Sequence, residues 1–313
     1  MNKTAFLFPG QGSQYVGMAR DLYDQHEAVR ALYAEASLLL GYDLAEVSFN
    51  GPEERLKQTV VTQPAILTHS LAWQIILERQ GIRPDYAAGH SLGEYSALAC
   101  AGVLSRKDAI IAVNTRCKAM QEACEQNRGT MAAVMGASRE QVLQLVERLQ
   151  SEGTVVPANF NAPDQIAISG DFAAVEKAVP IAKEFGAKRA LLLPVGGAFH
   201  SPLMASAAVK LDATLSQLPF QPAAFPVIAN VTAKPETEPQ RIKQLLVNQI
   251  TAPVLWVDTL EELRRLGVTR FVEIGPGKVL SGLVKRTLGE VEIINLDKIS
   301  DFDLVAEKLL EVV

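Results

Sequence analysis

The feature that most constrains this chain is a serine between two glycines at a predicted strand-to-helix corner, Gly-His-Ser-Leu-Gly at residues 89–93. The segment before it, residues 85–88, is short and apolar, which is typical of a buried strand. Residues 91–101 favour a helix that ends at Gly102. The pattern predicts a nucleophile elbow, in which a strained turn exposes the Ser91 hydroxyl beside a helix N-terminus. The alternative is an ordinary Gly-Ser turn that begins a helix.

A second loop with exposed backbone N–H groups follows the first predicted strand. Residues 4–8 form a continuous apolar run, typical of a buried parallel strand, and Pro-Gly-Gln-Gly follows at 9–12. The glycines on either side of Gln11 allow a tight loop. This loop is either a simple strand-to-helix turn or half of an oxyanion hole that uses the Gln11 N–H.

Composition narrows the class of protein. The 313 residues are 48% hydrophobic and 21% charged, enough for one large core and a smaller one, so disorder is not expected. The net charge of −5 argues against nucleic acid as a partner. Three cysteines without metal-ligand spacing indicate free thiols in a reducing cytosol, and no metal is expected. The N-terminal residues fit no signal peptide, and no apolar run approaches the ~18 residues of a membrane span, so we expect a cytoplasmic protein.

The order of predicted elements indicates two domains. Strands that alternate with helices predict an α/β fold with a largely parallel sheet. In the middle of the chain the order changes to βαββαβ, which is the ferredoxin-like arrangement. Its predicted strands and helices cover residues 130–135, 138–149, 154–160, 165–169, 171–185 and 188–193. We therefore predict a large domain, residues 1–127 and 198–313, and an inserted small domain, residues 128–197.

Two predicted helices flank the elbow in sequence, besides helical stretches at about 18–40. One runs from residue 63 to residue 80, with Pro64 near its first turn. The other runs to about Gln126 with Ser105 as its N-cap, and Arg116 lies beside its apolar stripe. A guanidinium there either reaches to solvent, pairs with an internal acid or binds an anionic ligand.

One histidine stands out as a candidate general base. His200 lies in a glycine-containing loop where the chain returns to the large domain, and loops between domains commonly line clefts. A core or surface histidine is the commoner alternative. In the small domain, residues 159–163 (Asn-Phe-Asn-Ala-Pro) are predicted to form the turn between its two middle strands.

Seven sequence blocks in one order resemble the acyltransferase family of fatty-acid and polyketide synthesis. They are residues 8–14 (Phe-Pro-Gly-Gln-Gly-Ser-Gln), 89–94 (Gly-His-Ser-Leu-Gly-Glu), Arg116 with Met120, 159–161 (Asn-Phe-Asn), 197–201 (Gly-Ala-Phe-His-Ser), Gln249 before Pro253-Val254, and 273–280 (Glu-Ile-Gly-Pro-Gly-Lys-Val-Leu). Each block alone is a weak signal, but the set spans the whole chain. The resemblance implies a hydrolase-like α/β domain with an inserted ferredoxin-like domain.

The resemblance also implies the catalytic roles. Ser91 would be the nucleophile and His200 its general base, oriented by the backbone carbonyl of Gln249 rather than by a carboxylate. The N–H groups of Gln11 and Leu92 would hold the oxyanion.

Substrate contacts follow from the same resemblance. Arg116 would bind the free carboxylate of a malonyl group, and Phe199 would form a wall against branching at the malonyl α-carbon. The other implied substrate contacts are Met120, His90, Asn159 and Asn161.

The implied reaction is transfer of a malonyl group from malonyl-CoA to the phosphopantetheine thiol of acyl carrier protein, through a malonyl-serine and without a bound cofactor. The alternative is a free-standing malonyl acyltransferase that serves a polyketide synthase. An ester-cleaving α/β-hydrolase fits poorly, because its histidine comes late in the chain and here the last is His200. A non-enzymatic carrier-binding module would not need Ser91, His200 and Arg116 together.

The expected partner requires a local basic patch, because carrier proteins of this kind are acidic and the chain itself is net negative. The paired basic residues nearest the expected cleft are Lys285 with Arg286 and Lys188 with Arg189. Their alternative role is ordinary solvated surface charge. A monomer is expected.

Overall fold

The computed structural model describes residues 3–310, and this range contains ten strands and fourteen helices in an α/β arrangement. The strands are β1 Lys3–Phe8, β2 Tyr86–Gly89, β3 Gly129–Met135, β4 Val155–Ala162, β5 Gln165–Asp171, β6 Arg189–Leu192, β7 Val227–Ile228, β8 Pro235–Glu236, β9 Val268–Ile274 and β10 Glu292–Leu296. The helices are α1 Arg20–Gln25, α2 Glu27–Leu40, α3 Leu44–Asn50, α4 Glu53–Leu56, α5 Thr59–Arg79, α6 Gly93–Cys100, α7 Arg106–Gln126, α8 Arg139–Leu149, α9 Phe172–Ile181, α10 Ala205–Leu215, α11 Pro239–Gln249, α12 Trp256–Arg265, α13 Val279–Leu288 and α14 Phe302–Leu310.

The larger sheet has the strand order β10-β9-β1-β2-β7-β8 and is parallel except for β8 at its edge. β1 lies at the centre between β9 and β2, and its residues 4–8 are buried, as the continuous apolar run predicts. The carboxyl ends of β1 and β2 are neighbours, since Phe8 pairs with Gly89. The glycine-rich loop after β1 and the elbow after β2 therefore meet at one edge of the sheet.

Helix α5 begins earlier than the sequence suggests. We expected Pro64 in the first turn, but the helix starts at Thr59 and places the proline inside it. Proline has no N–H, so the carbonyl of Val60, four residues earlier, loses its helical partner. The Tyr42 hydroxyl donates to that carbonyl at 3.2 Å, which supplies a replacement. By length and composition α5 is the one helix within 3–310 that could cross a membrane, yet 89% of its apolar window is buried by the protein.

A separate antiparallel sheet has the order β4-β5-β3-β6, with α8 and α9 packed against it. It has its own hydrophobic cluster, which includes Val134, Val142, Leu145, Ile168 and Val175. The antiparallel sheet is joined to the rest of the protein along β4 by the segment before α12, where Phe160 donates its N–H to the Val254 carbonyl and Val254 donates to the Ala158 carbonyl, both at 2.9 Å. Ion pairs between Arg139 and Asp258 and between Arg286 and Asp164 flank this junction.

Some predicted elements need correction. Asn159 and Asn161 do not lie in a turn: both belong to β4, and the turn follows Ala162. The Asn/Pro composition was misleading because β4 carries two register irregularities, which admit these residues into a strand. The prediction of helical stretches at about 18–40 is confirmed, since two helices lie there and meet at His26. The N-cap prediction is confirmed, since the Ser105 side chain accepts from the Asp108 N–H.

The elbow depends on two glycines at the crossing of β2, α6 and β1. A Cβ on Gly89 would lie 1.9 Å from the Gly93 carbonyl, and a Cβ on Gly93 would lie 2.0 Å from the Phe8 carbonyl oxygen. Ser91 has φ 51°, in the left-handed region that serine rarely adopts. The close backbone approach therefore requires glycine at both positions, and it holds the serine between them in a strained conformation.

We predict that Gly89→Ala lowers the free energy of unfolding by about 3 kcal/mol or more, because the methyl group would overlap backbone that cannot move away. Urea unfolding followed by circular dichroism measures this loss. The matched control is Gly282→Ala in α13, where an added Cβ meets no atom within 4 Å. That change should raise stability by about 0.5–1 kcal/mol. If Gly89→Ala and the unmodified protein were equally stable, the backbone crossing would not require glycine at position 89.

Candidate active site

A cavity of about 180 Å³ lies between the carboxyl ends of β1 and β2 and the antiparallel sheet. It is lined by the residues singled out from the sequence together with a few others: Gln11, Gln63, His90, Ser91, Leu92, Arg116, Met120, Met131, Asn159, Asn161, Ala167, Leu193, Val195, Phe199 and His200. Every predicted substrate contact thus borders one cavity, as do four of the five predicted catalytic residues. The fifth, Gln249, is buried directly behind His200.

Ser91 and His200 form a hydrogen-bonded pair although they are far apart in the chain. The Ser91 Oγ lies 2.8 Å from the His200 Nε2, and the His200 Nδ1 lies 2.8 Å from the Gln249 carbonyl oxygen. A carbonyl only accepts, so the His200 Nδ1 carries the proton and its Nε2 is free to accept the hydroxyl proton of Ser91. His200 also has a positive φ of 58°, so both members of the pair have strained backbones.

The surroundings of His200 keep its ring neutral. The side chain is 4% exposed, and burial together with the nearby Arg116 guanidinium lowers its pKa to about 3. The imidazole is therefore unprotonated at neutral pH, which is the state that a general base requires.

The two predicted oxyanion donors border the cavity. Gln11 lies in the loop after β1, and Leu92 lies in the first turn after Ser91. Within residues 3–310 neither N–H donates to another protein atom. Two such N–H groups beside a serine hydroxyl can bind the negative oxygen of a tetrahedral intermediate.

Arg116 is a buried cation that contacts the Ser91 hydroxyl. It is 1% exposed, and its Nη2 donates to the Ser91 Oγ at 2.8 Å and to the Gln249 Oε1 at 3.0 Å, while its Nη1 donates to the Gln63 Oε1 at 2.7 Å. These partners are neutral, and the Arg116 Nε is buried without a hydrogen bond among the described residues. Of the three sequence alternatives, the geometry excludes a side chain that reaches to solvent and favours a site for an anionic group.

The remaining predicted contacts surround the cavity from both sheets. His90 reaches across the junction to Asn161, with 2.7 Å between its Nε2 and the Asn161 Oδ1. Asn159 and Phe199 are buried and form walls of the cavity, and Met120 lies one turn beyond Arg116 on α7.

The four basic residues predicted as a partner patch are exposed. Met135 pairs with Gln165 on one side and with Arg189 on the other, so Arg189 is two strands, or about 10 Å, from Gln165. Arg286 binds both Gln165 and Asp164. Arg286 is thus also part of the junction between the sheets, whereas Lys285, next to it, projects from the exposed part of α13.

Two residues that the sequence did not single out hold the elbow. The Asn230 Oδ1 accepts the Ser91 N–H, and its Nδ2 donates to the Gly89 carbonyl, both at 2.7 Å. Glu94, 3% exposed on α6, accepts from the Gln249 Nε2 at 2.7 Å. Glu94 belongs to the Gly-His-Ser-Leu-Gly-Glu block, which was the available signal for it, whereas no local pattern marks Asn230.

Comparisons with known proteins found relatives that match nearly the whole chain. Residues 5–306 match the family described as acyl transferase domain. The malonyl CoA-acyl carrier protein transacylase of Bacillus subtilis is 46% identical over 312 residues, which cover 99% of this chain and 98% of the relative. An acyl carrier protein S-malonyltransferase from Vibrio cholerae has a similar structure, with a TM-score of 0.93 and 44% identity over 97% of this chain and 100% of the other.

A second similar structure contains a bound partner. It is a malonyl-transacylase in complex with a type II polyketide synthase acyl-carrier protein, with a TM-score of 0.94 and 41% identity over 98% of this chain and 100% of the other.

We predict that Asn230→Ala lowers the free energy of unfolding by about 2–4 kcal/mol, because it leaves the Ser91 N–H and the Gly89 carbonyl without partners in a buried position. It should also slow acylation of Ser91, since the elbow loses the contact that orients it. Urea unfolding and the rate of acyl-enzyme formation measure the two effects. The control is Asn248→Ala at an exposed position of α11, for which we expect a change within about 0.5 kcal/mol. Matching behaviour of the two variants would argue against the role of Asn230.

Proposed function

The chain belongs to the acyltransferase family of fatty-acid and polyketide synthesis, and from this premise we propose that Ser91, His200 and Arg116 form its active site. The enzyme transfers the malonyl group of malonyl-CoA to the phosphopantetheine thiol of acyl carrier protein. The observation that supports the assignment of residues is the Ser91 hydroxyl, which lies 2.8 Å both from the His200 Nε2 and from the Arg116 Nη2. The Ser91 Oγ, as the nucleophile, thus contacts both the proposed base and the proposed cation for the acyl carboxylate.

The reaction proceeds by two exchanges at Ser91. His200 accepts the hydroxyl proton as the Ser91 Oγ attacks the thioester carbonyl, and the N–H groups of Gln11 and Leu92 stabilise the oxyanion. The protonated His200 returns the proton to the departing coenzyme A thiolate. In the second half, the phosphopantetheine thiol gives its proton to His200 and attacks the malonyl-serine carbonyl. The ester bond to Ser91 then breaks, and His200 returns the proton to the Ser91 Oγ.

Arg116 selects the malonyl group. Its planar guanidinium can bind the free carboxylate through two parallel hydrogen bonds. An acetyl group has no carboxylate, so it would leave a buried cation unpaired. The arriving carboxylate also offsets the positive charge that lowers the pKa of His200, so malonyl binding makes the base stronger. Phe199 bounds the space beside the malonyl α-carbon.

For the fold, we propose that the antiparallel sheet is a ferredoxin-like domain of residues 128–197, inserted into a hydrolase-like domain of residues 1–127 and 198–313. Its chain order β3-α8-β4-β5-α9-β6 and its strand order β4-β5-β3-β6 support this assignment. So does its separate hydrophobic cluster, whose buried members lie between residues 132 and 187.

A carrier protein of a polyketide synthase is the alternative acceptor, because a relative of 41% identity has been solved with such a partner. A cytoplasmic location is supported by Cys100, Cys117 and Cys124, all of which are free thiols.

The decisive experiment is intact-mass measurement of the protein mixed with malonyl-CoA. We expect the unmodified protein to gain one malonyl group and Ser91→Ala to gain none, because among the described residues that line the cavity Ser91 alone carries a hydroxyl. Ser96→Ala on α6 is the control and should still be loaded. Malonylation of Ser91→Ala would overturn the assignment of the nucleophile.

We predict that Arg116→Ala lowers malonyl transfer about ten- to a hundredfold and relaxes selectivity toward acetyl-CoA, because a charge-assisted contact worth about 1.5–3 kcal/mol is lost. The kcat/KM values for malonyl-CoA and acetyl-CoA give the ratio. Arg116→Lys keeps the positive charge but lacks the planar guanidinium. Its preference for malonyl-CoA over acetyl-CoA should lie between that of Arg116→Ala and that of the unmodified enzyme. An unchanged malonyl-to-acetyl ratio in Arg116→Ala would exclude this role.

We predict that Lys285→Glu combined with Lys188→Glu slows transfer to the carrier protein more than it slows loading of Ser91. The patch acts on encounter with an acidic partner, so the effect should shrink at high salt. Arg286 is left intact because it binds Asp164 across the junction. Lys107→Glu, an exposed charge reversal outside the patch, is the control. Equal losses in both half-reactions would mean that the two lysines serve coenzyme A or the fold.

A further inference from the structure

The side-chain amide of Gln249 connects the nucleophile, the buried arginine and a buried acid. Its Oε1 accepts from the Arg116 Nη2 at 3.0 Å, and its Nε2 donates to the Ser91 carbonyl at 3.0 Å and to the Glu94 Oε2 at 2.7 Å. The orientation of the amide is determined by its partners, because a guanidinium only donates and the carbonyl and carboxylate only accept. Glu94 is therefore two hydrogen bonds from Arg116.

Glu94 is a buried acid that can compensate the positive charge of Arg116. Both side chains are buried, at 3% and 1% exposure, and the direct partners of Arg116 are neutral oxygens. Glu94 also accepts the Asn230 N–H at 3.3 Å, so both of these contacts favour its ionised form. A buried guanidinium with no anion in reach would be costly, and Glu94 reduces that cost in the empty site.

We propose that Glu94 is the counter-charge of Arg116, that it acts through the Gln249 amide, and that it thereby limits how tightly the site holds an acyl group with one carboxylate. This inference rests on the proposed function of Arg116. When the malonyl carboxylate enters, two anions share one cation, and an ionised Glu94 opposes binding. Glu94 is thus a positioning residue that never contacts the acyl group. Glu94 thereby prevents an acyl group with one carboxylate from binding too tightly. The reaction requires this, because the acyl group is first loaded onto Ser91 and then removed from it.

The competition between Glu94 and the malonyl carboxylate for Arg116 should depend on pH. Burial raises the pKa of Glu94 to about 7, so the carboxyl is neutral below that pH and ionised above it. Helix α6, which carries Glu94, packs against β1, β2, α5 and α7. Of these elements, within the described residues, α7 brings the charged group that acts on Glu94, namely Arg116. Tyr95 on α6 has a raised pKa, and burial lowers the pKa values of His90 and His200, so these groups stay neutral as the pH rises through 7.

The test is the Glu94→Gln variant, which keeps an acceptor for Gln249 and Asn230 but removes the charge. Rapid-quench measurement of Ser91 loading gives the half-saturating concentration and the maximal rate for malonyl-CoA. We expect the half-saturating concentration to fall about three- to tenfold, because the competing anion is gone. Acetyl-CoA, which has the same coenzyme A but no free carboxylate, should show no such tightening.

The second measurement needs no variant. In the unmodified enzyme the half-saturating concentration of malonyl-CoA should rise as the pH increases through about 7, relative to that of acetyl-CoA. In Glu94→Gln this relative rise should be absent. A role limited to structure would lower both maximal rates and leave the two pH profiles parallel.

The control is Glu273→Gln, which removes another buried carboxylate whose pKa is raised by burial and which does not border the cavity. It should leave the ratio of half-saturating concentrations unchanged. The inference is overturned if Glu94→Gln binds malonyl-CoA no more tightly, or if the pH dependence persists in it. A failure of the proposed function gives a different result, since the unmodified enzyme would then not acquire a malonyl group on Ser91.

Discussion

The structure of the active site depends on the close crossing of β2, α6 and β1. Glycines at 89 and 93 let the backbones approach to a distance that no side chain allows, and the turn between them forces Ser91 to φ 51°. The strained turn directs the hydroxyl into the cavity and leaves the Leu92 N–H unpaired beside it. Because Phe8 and Gly89 are paired in neighbouring strands, the same crossing brings the Gln11 loop next to the serine.

A second constraint is the burial of a permanent cation beside the Ser91 hydroxyl. Arg116 can act as the proposed carboxylate site only if the empty site tolerates its charge, and the surrounding oxygens of Gln63, Gln249 and Ser91 provide neutral partners. Burial, together with this charge, lowers the pKa of His200. Under the proposed roles, the substrate carboxylate, the base and the nucleophile are therefore electrostatically coupled, and a substrate without the carboxylate would meet a weaker base and an unpaired cation.

The antiparallel sheet completes the site rather than only covering it. It supplies Asn159 and Asn161 from β4, and His90 contacts Asn161 across the junction. Two backbone hydrogen bonds between β4 and residue 254 hold this wall in position, and Arg139 and Arg286 form ion pairs on either side. Arg286 contacts Asp164 and Gln165 at the β4–β5 turn, so this part of the expected partner surface adjoins the junction.

The sequence alone determined the α/β class, the elbow at Ser91, the loop at Gln11 and the N-cap at Ser105. Each of these features depends on residues that are only a few positions apart in the chain. The family resemblance added the expected roles of Arg116 and Gln249 to the prediction of His200 as a base. Only the tertiary structure showed that Asn161 lies in a strand, that Asn230 holds the elbow from 139 residues away, and that Gln249 links Arg116 to Glu94. No periodicity or turn propensity specifies which distant side chain will lie within 3 Å of another. Such contacts follow from the packing of whole sheets and helices.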